Sequence, residues 1–144
     1  MTRQHSVPDE ATELFTLVEE MAKAQTVDEI TRIWSADFTW FDVAHCIVRG
    51  REAAYATYAE QFSVITNLRT EILDVKAFAD GSVGFVHSVQ RFLADGINGG
   101  GDVDIVFRQS DGFVKRDDEW QLVHQHVSLP FDPATGVIVT NSPV

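Results

Sequence analysis

Trp120-Gln121-Leu122-Val123-His124-Gln125-His126-Val127-Ser128 is the stretch on which the reading of this chain turns. Its aromatic and β-branched residues, closed by Pro130, predict a final strand over 120–129. A strand sends alternate side chains to the same side. Trp120, Leu122, His124, His126 and Ser128 are therefore expected on one face, and Val123, Gln125 and Val127 on the other. Two imidazoles and a hydroxyl in one row suit a reaction chamber, a metal site or a polar patch at an interface.

Upstream of it the same period recurs. Strands are predicted over 69–79, 82–93 and 102–115, with Asp80-Gly81 as a hairpin turn and a glycine-rich hairpin loop over 95–101. A bulge is expected at Asp111-Gly112. The first half of the chain is different. Pro8, Asp9 and Glu10 open a helix that carries Leu14, Phe15, Val18 and Met21 at helical spacing. Thr26-Val27-Asp28-Glu29 reads as a capping box before a short second helix with Ile30, Ile33 and Trp34. A strand follows over 38–43, a loop over 44–50 and a third helix over 52–65, with Ala54, Tyr58 and Phe62 on one stripe. Helices segregated from a run of antiparallel strands predict an α+β fold. One domain is expected over 1–130, with a tail over 131–144.

The composition narrows the function. The 144 residues carry 11 Lys and Arg against 22 Asp and Glu, a net charge of −11 that repels phosphate backbones and argues against nucleic acid. No apolar run is long enough to span a membrane, and the polar start, Met1 to Pro8, lacks the apolar core of a signal peptide. A cytoplasmic location is expected. Cys46 is the sole cysteine, so neither an intrachain disulfide nor a thiolate cluster can form, and it reads as a small packing residue.

Two motifs carry a resemblance: Val83-Gly84-Phe85-Val86-His87-Ser88 and the closing Trp120 to Pro130 segment with its His-x-His-x-Ser-x-Pro spacing. With the order of elements over 10–130, they resemble the SnoaL-like branch of the nuclear transport factor 2-like superfamily, which includes ketosteroid isomerase, polyketide cyclases and limonene epoxide hydrolase. The resemblance implies a curved antiparallel sheet wrapped around about three helices, a conical cavity between them, and a homodimer formed through the sheet face. It does not fix a function, because this fold hosts enzymes and binding modules alike.

The candidate chemistry follows from residue types set on that frame. An ungapped match through Ala24 to Asp42 puts Asp42 where ketosteroid isomerase carries its general base. A carboxylate at the mouth of an apolar cavity suits proton transfer. The isomerase's oxyanion tyrosine falls near Val18 here, and its protonated aspartic acid has only Asp111 as a counterpart. Arg108, His87, His124 and His126 are the other candidate catalytic groups, as a fixed cation and as proton carriers. Trp40, Phe15, Tyr58, Phe62, Phe107 and Ser128 are expected to bind substrate. The expected reaction is cofactor-free proton abstraction next to a carbonyl on a small hydrophobic molecule. The alternatives are a non-catalytic ligand-binding or dimerisation module, a metal site built from His87, His124, His126 and Asp42, and an epoxide hydrolase using Asp42, Arg108 and Asp111.

Overall fold

The computed structural model describes residues 9–44 and 47–142. Cys46 and the N-terminal residues up to Pro8 lie outside these. The elements run α1 (Glu10–Lys23), α2 (Val27–Thr31), β1 (Trp34–Phe41), β2 (Val48–Arg49), α3 (Arg51–Phe62), β3 (Ile65–Asp80), β4 (Val83–Gly96), β5 (Val103–Arg116) and β6 (Glu119–Ser128). The fold is α+β: one curved, unclosed sheet in the order β2-β1-β6-β5-β4-β3, with helices against it. β3 to β6 form an antiparallel meander. β1 adds to β6 in parallel and carries the short β2 on its far side.

Local chemistry sets the helix starts. The Asp9 carboxylate caps α1 by accepting from the Thr12 amide at 2.7 Å, and the Thr26 hydroxyl caps α2 by accepting from the Glu29 amide at 3.1 Å. The Glu29 carboxylate reaches back to the Gln25 amide at 2.8 Å, one residue before the cap. That short helix ends earlier than its apolar spacing predicts: Trp34 already belongs to β1. Ile33 and Trp34 are buried, Trp34 against the rings of Phe38, Trp40 and Tyr58. The predicted loop 44–50 also contains the two residues of β2.

Leu14 and Val18 of α1 are buried in a core with Phe38, Trp40, Val86, Phe113 and Leu122 from the sheet. α1 comes close to β4 because Gly84 has no side chain; a Cβ there would sit 2.4 Å from Leu14 Cδ1. Trp120 donates its indole N–H to Glu13 at 2.7 Å, which ties β6 to α1. After Pro130 the chain folds back on itself. The Val139 amide donates to the Pro130 carbonyl at 2.8 Å, and the Val106 amide donates to that of Thr140 at 2.7 Å.

The predicted bulge falls at Gly112, but the extra residue belongs to the partner strand. Gly112 pairs with His124 and Phe113 with Leu122, so Val123 is left over in β6. An extra residue in one strand reverses which side chains face the core beyond it. Trp120 and Leu122 point inward before the bulge. Beyond it Gln125 is buried and His126 is exposed.

Candidate functional site

A cavity of about 210 Å³ lies between the helices and the concave face of the sheet. Val18, Met21 and Ala22 of α1 and Tyr58, Gln61 and Phe62 of α3 form one side. Trp40, Phe92, Val103, Ile105, Phe107 and Val127 form the apolar part of the sheet side. Polar groups enter at two places. Asp42, the residue after β1, lies with Gln61 and Tyr58; Gln90, Gln109 and Gln125 lie on the central strands.

Alternation along β1 explains the first group. Trp40 faces in, Phe41 faces out and is 36% exposed, and Asp42 faces in again. One oxygen of the Asp42 carboxylate accepts from Gln61 Nε2 at 3.0 Å and from the Ala44 amide at 3.2 Å. Tyr58 packs against Trp40 with ring centroids 5.3 Å apart and against Phe62 at 4.4 Å. Burial, with the charges of Asp42 and Asp111 adding to it, pushes the Tyr58 phenol well above its ordinary value. The phenol therefore keeps its proton and can act as a donor.

The second group centres on Asp111, which is 1% exposed. Its two oxygens accept from Gln109 Nε2 and Gln125 Nε2, each at 2.9 Å. Burial raises its carboxyl to about 6, against the lowering effect of the two amides. Beside them Gln90 Nε2 donates to the Ser88 hydroxyl at 2.8 Å.

The other candidates do not reach this cavity. His124, His126 and Ser128 lie on the outer face because the Val123 bulge turned them there. His124 Nδ1 is 2.9 Å from the Thr39 carbonyl, and both imidazoles pack edge-on against Phe41. Pairing without a break between β4 and β5 puts His87 opposite Ser110 and Val89 opposite Arg108 on that same outer face. His87 and Arg108 are exposed there. Phe15 is half-buried on α1 but is not part of the cavity wall.

The expected chamber of Asp42 with these histidines and Arg108 is thus corrected: the sheet separates them. The same separation undoes the metal set and the Asp42–Arg108–Asp111 group. Among the described residues no cluster of three or more His, Cys, Asp or Glu is placed to hold a metal. Sequence reasoning missed the glutamines. Gln109 shares the face of Phe107 along the unbroken β5 and could have been read from it, whereas only the position of the Val123 bulge puts Gln125 on the inner face.

A SnoaL-like domain family model matches residues 12–132. No curated protein matches the chain. Among solved structures, an NTF2-like protein of unknown function from Pseudomonas putida is similar, with a TM-score of 0.81 and 21% identity over 93% of this chain and 96% of that one. A ketosteroid isomerase-like protein from Erwinia carotovora atroseptica has a TM-score of 0.72 and 13% identity over 85% of this chain and 97% of that one. A protein with a cystatin-like fold from Caulobacter vibrioides has a TM-score of 0.70 and 16% identity over 92% of both chains. At these identities the structures show a shared fold. The family match, over most of the sequence and on this same architecture, shows that the chain belongs to the SnoaL-like domain family.

Proposed function

We propose that the inner cavity binds a small, mostly apolar carbonyl compound and that Asp42 moves a proton on it, as in isomerases, cyclases and dehydratases. The observation that carries this reading is the pairing of a carboxylate with a protonated phenol in one apolar cavity. Asp42 takes the proton next to the carbonyl. Charge then develops on the carbonyl oxygen and needs a neutral donor nearby. Tyr58 supplies one. Tyr58 on α3 thereby fills the role for which α1 offers only Val18.

Cavity size sets the scale of the substrate. A cavity of about 150 Å³ takes a benzene ring, so one of about 210 Å³ suits a one- or two-ring molecule and not a four-ring steroid.

The test is deuterium exchange into 2-tetralone, followed by proton NMR. The wild-type protein should speed exchange beside the carbonyl above the buffer rate. Asp42→Asn should lower that gain by about 10²- to 10⁴-fold. Exchange at the buffer rate in the presence of bound ketone, or a gain that survives Asp42→Asn, would sink the assignment. A non-catalytic ligand-binding module is the second reading. It is supported by the polar wall of the sheet side, where amides that hold but do not transfer protons predominate. Binding without exchange would establish it.

The outer face has a separate role in this reading, as the contact between two copies of the chain. Phe78 and Phe85 stack there at 4.7 Å and are 38% and 48% exposed. His87 and Lys76 extend the patch. Lys76, Arg108 and the Arg91–Asp104 pair on this face offset its acids, so two such faces can meet without strong repulsion.

A further inference from the structure

We propose that Asp111 turns Gln109 and Gln125 so that, together with Gln90, they present amide carbonyl oxygens to the cavity and select ligands bearing a hydroxyl or N–H donor at that end. This rests on the inner cavity being the ligand site, and it adds a second recognition point to the one at Asp42.

The geometry is restrictive. An ionised carboxylate only accepts hydrogen bonds. Each of its oxygens is taken up by one glutamine Nε2, at 2.9 Å in both cases. With its nitrogen held toward Asp111, each planar amide must direct its oxygen away from that carboxylate. Gln90 is fixed in the same sense by its 2.8 Å bond to Ser88. All three glutamines line the cavity, and none of the three carbonyl oxygens accepts a hydrogen bond from another described residue. An acceptor left without a donor costs free energy when water is displaced, so a ligand lacking a donor there binds less well.

Asp111 is an expensive way to hold two side chains if packing alone were needed. It sits beneath the glutamines, 1% exposed, where an apolar side chain of similar size would fill the space without the cost of burying a charge. Its carboxyl, raised to about 6, is still mainly ionised at pH 7.5 and so still acts only as an acceptor. The donor end of the ligand is thus matched to the glutamine oxygens that Asp111 orients, and its carbonyl end to Tyr58. The substrate class narrows to hydroxylated or amino-substituted ring ketones.

Calorimetric titration at pH 7.5 with 4-hydroxyacetophenone and 4-methylacetophenone tests this, because the pair differs by one hydroxyl in place of one methyl. The wild-type protein should bind the hydroxy ketone at least tenfold more tightly. Asp111→Asn, which lets the amides turn over, should reduce that preference to threefold or less. Gln109→Met, which keeps the side chain's bulk without its amide, should weaken the preference as well and covers the case in which Asp111→Asn does not fold. Equal affinity for both ketones in the wild type, or a preference unchanged in either variant, overturns the role of Asp111 and leaves the cavity standing as a ligand site. Binding of neither ketone overturns both. Proton exchange is not read here, so failure of the Asp42 chemistry is recorded separately.

Discussion

Asp111 makes stability depend on pH in a direction opposite to that of most carboxylates. Its carboxyl rises from 3.8 to about 6 on folding because it is buried. The folded protein therefore holds a proton between those values that the unfolded chain has released. Stability is highest below pH 4 as far as this group is concerned, falls as pH rises to about 6, and is lower by about 3 kcal/mol above that. Asp111→Asn should remove this fall, as measured by urea denaturation from pH 4 to 7. An unchanged profile would mean that the carboxylate is not desolvated in the fold. At this scale the sequence was only partly legible. Asp42, Trp40, Tyr58, Phe62 and Phe107 all line the cavity, because each lies in an element whose period is unbroken where it matters. His124 and His126 do not, because their side of the sheet depends on one extra residue; His87 does not, because it alternates outward between the buried Val86 and Ser88.

That residue, Val123, belongs to the scale of elements. Pattern alone shows that His124, His126 and Ser128 share a face, and they do. It cannot show which face, since a bulge changes the side without changing the alternation beyond it. Trp120 and Leu122 before the bulge gave the wrong anchor for everything after it. The close approach of α1 to β4 is similarly hidden, because it depends on what Gly84 lacks. Gly84→Ala would set a Cβ closer than ordinary contact to both Leu14 Cδ1 and the Phe78 carbonyl oxygen, so each must move away from it. It should cost about 1–3 kcal/mol in thermal or urea unfolding. A neutral result would show that α1 can shift freely on the sheet. The start of β1 is fixed to the β5–β6 hairpin by another pair. Hydrogen bonds from Arg116, helped by Ser35, hold the Asp37 carboxyl down at about 2. That contribution is present above pH 4 and is lost as pH falls toward 2, so Arg116→Gln should lessen acid sensitivity in that window. An acid transition identical to the wild type would show that the exposed pair adds nothing measurable.

At the scale of the whole molecule, the sheet divides two surfaces of different character. The concave side holds a mostly apolar cavity with Asp42, Tyr58 and the glutamines. The convex side holds Phe78, Phe85, the three described histidines and Arg108. The α+β order was legible because the helical periods end by Phe62 and the four strands of the meander follow them, whereas the curved sheet around a cavity was implied only by the family resemblance. The parallel addition of β1 to β6 was not legible, because nothing local in either strand encodes a partner about eighty residues away. If the convex side joins two copies, the 16.1 kDa chain should sediment at twice that mass, and Phe85→Glu should shift it to monomer. A wild-type monomer at 100 µM, taken as roughly the upper range of ordinary assay concentrations, would remove that role from the face. In this reading, ligand enters the concave side and not the histidine face. NMR titration of 15N-labelled protein with 4-hydroxyacetophenone tests it most directly. The predicted result is movement of the Trp40 indole and the Gln109 and Gln125 side-chain amide signals, with the backbone signals of His87 and Arg108 unmoved; shifts confined to His87, Arg108 and His126 would contradict it.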